Sequence, residues 1–104
     1  MIDRIAMLKE ILAAHPGDAF ARYGLAMEYA NSGQLETSLA EFATLLQNTP
    51  DYTAGYFMAA QTLVKAKRTE EATKMLRDGI AAAQRKGDSH ARSEMQAMLE
   101  ELGL

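Results

Sequence analysis

Two short proline-containing segments of this chain repeat each other at a fixed distance. Residues 15–18 (HPGD) are matched by residues 49–52 (TPDY), and the two prolines stand 34 positions apart. A fixed period of roughly 20 to 50 residues is the sequence signature of repeat architectures, in which one supersecondary unit stacks on the next. The spacing therefore predicts a chain built from stacked units of this length.

Helical periodicity extends over almost the whole chain, and prolines and glycines divide it into six segments. Apolar residues recur every three to four positions, without the strict alternation of a half-buried strand. Proline cannot continue a helix, which explains breaks at Pro16 and Pro50, while Gly33 suits the left-handed residue after a helix end and Gly87 stops the fifth helix. The sequence predicts an all-α fold with helices at about residues 2–14, 19–32, 34–48, 53–66, 69–86 and 90–102.

Polar residues mark three of the predicted helix starts. Asp18 precedes the second helix, where a carboxylate accepts hydrogen bonds from the free amides of the first turn. Thr69 is expected to cap the fifth helix in the same way. Asp88 or Ser89 is expected to begin the last helix after Gly87 ends the fifth.

The residues between the two prolines follow a known family pattern. Its eight family positions are normally Trp, Leu, Gly, Tyr, Ala, Phe, Ala and Pro. In this chain they hold Arg22, Leu25, Ala26, Tyr29, Ser38, Phe42, Leu45 and Pro50. Four of these match strictly, and two exchange one small residue for another. The chain thus resembles the tetratricopeptide repeat (TPR), a helix-turn-helix unit of about 34 residues.

This resemblance implies antiparallel helix pairs stacked as a short right-handed TPR-like superhelix. We expect one domain over residues 1–104, divided into a half repeat (1–18), a first repeat (19–52), a second repeat (53–86) and a capping helix (87–104). The second repeat keeps the size pattern but little of the identity. In the same 34-residue frame, the leucine, glycine and tyrosine positions of the last helix hold Ser93, Glu94 and Ala97. We therefore expect this helix to close the stack as a cap.

The pattern also predicts the packing of the helices. Ala26 and Ser38 are small enough to let two helix backbones approach, while Leu25, Tyr29 and Phe42 fill the space between them. The last helix is expected to lie on the fifth through Ala91, Met95, Met98 and Leu102.

The second and fourth helices carry more apolar surface than one packed face requires, because a second stripe lies roughly opposite the first. In TPR proteins the first helices of successive repeats line a concave groove that receives extended or helical peptides. The resemblance implies that this stripe forms such a groove, with polar residues at its edges. The predicted partner-binding residues are Phe20, Tyr23, Met27, Asn31, Phe57, Met58, Gln61 and Lys65.

Two alternatives to this interpretation stay open. Large apolar residues at helical spacing are often core, so that Phe20 would cover the first helix and Phe57 would pack between the second and fourth. A short stack also has two exposed ends, which makes a self-associating homodimeric scaffold the alternative function. One TPR subtype is not expected. Domains that clamp a C-terminal carboxylate use lysine and asparagine, and the resemblance puts Tyr23, Met27, Met58 and Asp88 at the matching places, where only Arg92 is suitable.

Several function classes are disfavoured by composition and motifs. The chain has no cysteine, which rules out a disulfide framework and a thiolate metal site. His15 and His90 are far apart and no phosphate-binding glycine loop occurs, so we expect neither catalysis nor a cofactor or metal. Basic and acidic residues are interleaved, which predicts no nucleic-acid binding. No apolar run approaches the roughly 18 residues of a membrane span. We expect a cytoplasmic protein that binds another protein or peptide.

Overall fold

The computed structural model describes residues 3–103 and contains six α-helices within them. Each helix contacts the next one along the chain, and their short connections make consecutive helices antiparallel neighbours. Since residues 3–103 contain no strand, the all-α prediction is confirmed. None of the helices in this range is both long and apolar enough to cross a membrane. The helices are α1 (Arg4–Ala14), α2 (Ala19–Asn31), α3 (Leu35–Asn48), α4 (Thr53–Lys65), α5 (Thr69–Lys86) and α6 (Ser89–Glu101).

From the end of α1 onward, every helix start and every helix end lies within one residue of its predicted position. The predicted start of the first helix, Ile2, lies outside the described residues. Within them, α1 begins at Arg4, and the carboxylate of Asp3 accepts a hydrogen bond from the backbone N–H of Ala6 at 3.2 Å. This bond satisfies one of the amides that a helix start leaves without a partner.

The two proline corners have the same backbone geometry. Each follows a C-cap residue with nearly identical dihedral angles, φ −135° and ψ 77° at His15, φ −136° and ψ 76° at Thr49. Each of these residues donates its backbone N–H to the carbonyl four positions earlier at 2.7 Å. The carbonyls of His15 and Thr49 then accept from the backbone N–H of Asp18 and Tyr52, both at 3.1 Å. The 34-residue spacing of the sequence therefore places equivalent corners in the fold.

The turns inside the two full helix pairs are also equivalent, although their residues differ. Gly33 has φ 81°, the left-handed conformation expected for it, and the residue 34 positions later, Lys67, has φ 62°. In both turns the next residue donates its N–H to a carbonyl five positions earlier, Gln34 to Tyr29 and Arg68 to Leu63, each at 2.9 Å. A glycine adopts this conformation without a penalty, whereas a lysine carries a Cβ into it.

Two of the predicted caps are present and one is not. Asp18 Oδ1 accepts from the N–H of Ala21 at 2.9 Å, and Asp88 Oδ1 accepts from the N–H of Ala91 at 3.0 Å. The prediction that Thr69 caps α5 is wrong, because Thr69 is already the first residue of that helix and the N-cap position falls on Arg68. The left-handed Lys67 ends the preceding turn, and Arg68 then takes the N-cap position. The helix therefore begins at Thr69, one residue earlier than it would if Thr69 were the cap.

The pair α2 and α3 packs as the pattern predicted. Ala26 and Ser38 are fully buried, and the Ser38 hydroxyl donates to the Ala26 carbonyl at 2.7 Å, so the two helix backbones approach closely at these small residues. Leu25, Tyr29 and Phe42 are buried around this contact. The predicted core of the first repeat is therefore confirmed.

Close packing in the second half of the fold centres on Gly79 of α5. A Cβ placed on this glycine would lie 2.6 Å from Cβ of Tyr56 on α4 and would also collide with the sulfur of Met95 on α6. Three helices thus meet where only a hydrogen atom fits. As predicted, α6 lies on α5 through Met95, with Ala91, Met98 and Leu102 packed against the same cluster.

The last helix begins two residues later than a constant period of 34 requires. The N-cap residues of α2 and α4, Asp18 and Tyr52, are 34 positions apart, but Asp88 follows Tyr52 by 36. Helix α5 has 18 residues where α3 has 14, and the connection after α5 is two residues shorter than the one after α3, which together give a shift of two. Ala59 of α4 stands at the leucine position of the family pattern and is buried. Counted from the helix starts, the residue of α6 at this position is the buried Met95, whereas a constant period of 34 had put Ser93 there.

Candidate functional site

The helices α2, α4 and α6 lie side by side along one surface of the molecule. Besides its partner in the hairpin, α4 contacts α2 on one side and α6 on the other. These are the first helices of successive pairs, and the surface that they share is the one predicted to carry the groove. We call it the concave face.

A cavity of about 340 Å³ opens on the concave face between these three helices. Tyr23 of α2, Phe57 and Met58 of α4 and the small Ala54 give it mainly apolar walls. Its remaining lining comes from the first turn of α4 and the first half of α6: Thr53, Asp88, His90, Ala91 and Glu94.

Aromatic packing fixes the α2 side of the cavity. The ring of Tyr23 lies edge to face against Phe42, with centroids 6.4 Å apart, and 5.3 Å from the ring of Tyr52. Edge-to-face and tilted contacts of this kind stabilise aromatic pairs beyond the area that they bury. Partial burial raises the pKa of the Tyr23 phenol above its ordinary value.

Two carboxylates form the polar edge of the cavity on α6. Asp88 accepts from the N–H of Ala91 through Oδ1 and from the hydroxyl of Thr53 through Oδ2, at 3.0 and 3.1 Å. The bond from the Ala91 amide, supported by that from Thr53, lowers the pKa of Asp88 and keeps it ionised. Glu94 lies one turn after His90, whose Nε2 is 3.3 Å from Glu94 Oε1. The edge is therefore acidic.

The structure brings together only part of the predicted partner-binding set. Tyr23, Phe57 and Met58 line the cavity. Phe57 also packs against the cluster of Tyr56, Leu76 and Met95, so it is part core and part wall.

The other five predicted residues lie outside the cavity. Phe20 is 77% exposed, which contradicts the alternative that it covers α1. Met27 is half-buried and packs against the cluster around Phe42, and Gln61 is also half-buried. Asn31 and Lys65 are exposed at the far ends of α2 and α4.

Sequence reasoning missed the contribution of α6 to the cavity. Interpreting the last helix only as a cap left Asp88, His90 and Glu94 outside the predicted groove. The available signal was Gly87, which ends α5 four residues later than the period of 34 predicts from the end of α3. Restarting the register at this glycine puts His90 and Glu94 of α6 in the places of Ala54 and Met58 of α4.

A second cavity, of about 280 Å³, lies on the opposite side of the molecule between α3 and α5. Its floor is apolar and includes the buried Phe42 and Leu63. Charged residues at its rim already pair with one another. Arg68 bonds Glu36 at 2.9 Å and Glu71 at 2.6 Å, and Lys74 bonds Asp78 at 2.9 Å. The rim is therefore close to neutral, unlike the acidic edge of the cavity on the concave face.

Comparisons with known proteins give one consistent family. No family model matches the chain. A TPR repeat-containing protein of Pseudomonas aeruginosa is 27% identical over 95 residues, which are 91% of this chain and 90% of that protein. The solution structure of a tetratricopeptide repeat domain protein from Salinibacter ruber is 30% identical, covers 84% of this chain and 88% of that one, and superposes with a TM-score of 0.79. The solution structure of a Bordetella parapertussis protein is 26% identical and covers 99% and 90%, with a TM-score of 0.86.

These relatives span nearly the whole chain, and the equivalent corners, the left-handed turn residues and the small-residue contact between α2 and α3 agree with them. TPR domains are in general protein interaction modules. This chain belongs to the tetratricopeptide repeat family.

Proposed function

We propose that this chain is a non-catalytic interaction module that holds a peptide or helix of a partner protein on its concave face. The observation that supports the proposal most is the cavity walled by Tyr23, Phe57 and Met58. Aromatic rings offer a large contact area at a small cost in conformational entropy, and a thioether adapts its shape to the group that it meets. Such walls suit an apolar side chain of the ligand.

The predicted residues outside the cavity extend the same surface. Met27 and Asn31 follow Tyr23 on one face of α2, and Gln61 and Lys65 follow Phe57 on one face of α4, at helical spacing. We propose that a ligand anchored in the cavity continues along these side chains. In this arrangement the cavity supplies most of the affinity, and the flanking residues fix the position of the ligand along the surface.

The cavity is tested by filling it. Ala54 is exposed and lines the cavity, so Ala54→Trp places a large ring in the site without removing any core atom. The matched control is Ala81→Trp, since Ala81 is exposed on α5 and outside the cavity. The probes are dodecapeptides selected from a random display library on the wild-type protein and then synthesised.

We expect Ala54→Trp to weaken binding of the selected peptides about 100-fold or more by calorimetry, and Ala81→Trp to change it less than about twofold. Circular dichroism checks that both variants keep their helices. Peptides that bind Ala54→Trp as tightly as wild type would refute the concave-face site.

Self-association is the second candidate, and a specific observation favours it. Among residues 3–103 the exposed large apolar side chains are Met7 (50%), Ile11 (39%) and Phe20 (77%), all in α1 or the first turn of α2. Exposed apolar surface at one end of a stack is available to a second copy. Sedimentation equilibrium over a concentration series tests this. A dimer that Phe20→Ser dissociates supports it, and a monomer at every concentration contradicts it.

A further inference from the structure

We propose that the segment recognised on the concave face is basic, with an arginine next to its apolar anchor residue. This inference rests on the proposed function and specifies the chemistry of the ligand at the same site. The charge of the cavity edge and the aromatic walls beside it carry the argument.

The charged groups that line the cavity are Asp88, Glu94 and His90. With the imidazole neutral, they present two negative charges to a ligand. Asp88 is held in place by Thr53 and by the backbone of Ala91, so its position does not depend on the ligand. The side chain of Glu94 is 48% exposed and has its imidazole partner at the long distance of 3.3 Å. This carboxylate is accessible to a stronger donor.

An anionic ligand is disfavoured at the same place. The start of α6 is the part of the cavity where a helix dipole attracts an anion. Here that position is taken by the chain itself, because the Asp88 carboxylate accepts from the Ala91 N–H. A carboxylate or phosphate would meet Asp88 and Glu94 at close range, and like charges repel strongly in a partly desolvated cleft.

Arginine fits this site better than lysine does. Tyr23 and Phe57 line the same cavity as the acidic edge. A planar guanidinium stacks on aromatic faces and donates two parallel hydrogen bonds to one carboxylate, whereas an ammonium is a strongly hydrated point charge. One side chain can therefore use both the aromatic walls and Glu94. Its apolar neighbour in the ligand then contacts Met58.

The other cavity supports this choice by contrast. Around the cavity between α3 and α5, the charged groups of the rim form ion pairs within the protein. A charged ligand would gain little there, because it would have to break those pairs. On the concave face, neither Asp88 nor Glu94 forms an ion pair with a lysine or arginine among residues 3–103, although Lys86 and His90 lie near enough to Asp88 to help lower its pKa. A positive ligand side chain therefore adds an attraction that the free protein makes only in part.

The experiment uses the same random dodecapeptide library on the full chain and reads the composition of the selected peptides. We expect basic residues to be enriched over the unselected library, arginine more strongly than lysine, adjacent to leucine, methionine or an aromatic residue. Lysine enriched as strongly as arginine would overturn the choice of arginine. Binding of the synthesised peptides should weaken with rising salt, because charge attraction at a surface is screened.

Charge reversal at one position locates the effect. Glu94→Lys should weaken the basic peptides about tenfold, since it replaces attraction by repulsion, and a peptide with arginine changed to glutamate should regain part of that loss on this variant. The matched control is Glu100→Lys, which makes the same change on α6 at an exposed position outside the cavity and should alter binding less than about twofold.

The possible failures are distinguishable. Selected peptides that are acidic or without charge preference, yet lose binding on Ala54→Trp, would overturn the basic ligand and leave the concave-face site intact. Equal losses on Glu94→Lys and Glu100→Lys would overturn the assignment to Glu94. Peptides that bind Ala54→Trp normally would refute the proposed function itself.

Discussion

The two proline corners share one backbone geometry but are held by different side chains. At the first corner, Arg22 Nη2 donates to the carbonyl of Pro16 at 3.2 Å, and at the second, the hydroxyl of Tyr56 donates to the carbonyl of Pro50 at 2.7 Å. Arg22 and Tyr56 are themselves 34 positions apart. The repeat therefore fixes the place of a donor on the first helix of each pair, which is a guanidinium at one corner and a phenol at the other.

The cores of the two pairs differ in where their volume comes from. In the first pair, Phe42 and Leu45 of α3 fill the interior themselves. At the equivalent positions of α5 stand the smaller Leu76 and Gly79, and Met95 of α6 enters the space that Gly79 leaves. The second pair thus depends on the next helix for its packing. This makes α6 part of the core as well as one wall of the cavity.

The largest difference in the free energy of unfolding is expected between two variants that truncate a buried and an exposed phenylalanine, Phe42→Ala and Phe20→Ala. Phe42 is 1% exposed in the first core, so Phe42→Ala should lower the free energy of unfolding by about 3–5 kcal/mol. Phe20→Ala removes the same atoms from a side chain that is 77% exposed and should change it by less than about 0.5 kcal/mol. Urea unfolding followed by circular dichroism measures both. Similar losses for the two variants would contradict the described core.

Two glycines within helices, Gly79 and Gly24, differ in how closely neighbouring side chains approach them. A Cβ at Gly79 would collide with Tyr56 and Met95, and Gly79→Ala should cost about 1–3 kcal/mol through overpacking. A Cβ at Gly24 of α2 would lie 3.5 Å from Leu8, an ordinary contact, so Gly24→Ala should stabilise the helix by about 0.5–1 kcal/mol. The two substitutions are chemically identical, and thermal unfolding should show midpoints that move in opposite directions. A stabilising Gly79→Ala would mean that the second pair is looser than described.

The fold was predictable where each repeat unit marks its own ends. Pro16 and Pro50 fixed the corners, and the small Ala26 and Ser38 between large neighbours fixed the contact of the first pair. The register of α6 was not predictable from a constant period, because α5 is four residues longer than α3 and the connection after it is two residues shorter. The cavity depends on that register, so its acidic edge was missed while Tyr23, Phe57 and Met58 were found.

The division of the chain into repeats and the partner-binding role of the predicted residues stay predictions. Periodicity also cannot separate core from ligand-binding residues when both face inward from one helix. Phe57 illustrates this, since it packs against the core cluster with one part of its ring and lines the cavity with another.

The two turns within the helix pairs predict smaller changes in stability, with opposite signs for substitutions at Lys67 and at Gly33. Lys67 has φ 62° at the position that Gly33 occupies with φ 81°. Because a Cβ is disfavoured in the left-handed conformation, Lys67→Gly should stabilise the protein by about 0.5–1 kcal/mol, and Gly33→Lys should destabilise it by a similar amount. Chemical unfolding of the two variants and of the double exchange measures this. If Lys67→Gly destabilises the chain, its side chain contributes more than the strained backbone costs.

The smallest expected effect is a pH dependence that distinguishes the two corners. Burial raises the pKa of the Tyr56 phenol above its ordinary value of 10.0, although the nearby Arg85 works against this. The folded state therefore binds this proton more tightly than the unfolded state. Its contribution is fully present below the unfolded pKa and is lost as the pH rises through the folded one. A guanidinium keeps its proton over this range, so the bond from Arg22 to Pro16 should persist while the one from Tyr56 to Pro50 weakens.

Urea midpoints between pH 9 and 11.5 test this difference. The wild-type midpoint should fall above pH 10, with part of the fall due to Tyr23 and Tyr52, whose pKa values burial also raises. Tyr56→Phe removes the titrating hydroxyl and should make the alkaline fall smaller, at the cost of about 0.5–1.5 kcal/mol at neutral pH for the lost hydrogen bond. Amide exchange should then locate the alkaline loosening at the start of α4 and the end of α3, because the Tyr56 hydroxyl ties α4 to the corner that joins these two helices. Loosening that begins instead at the Pro16 corner would show that the two corners do not differ as their donors predict.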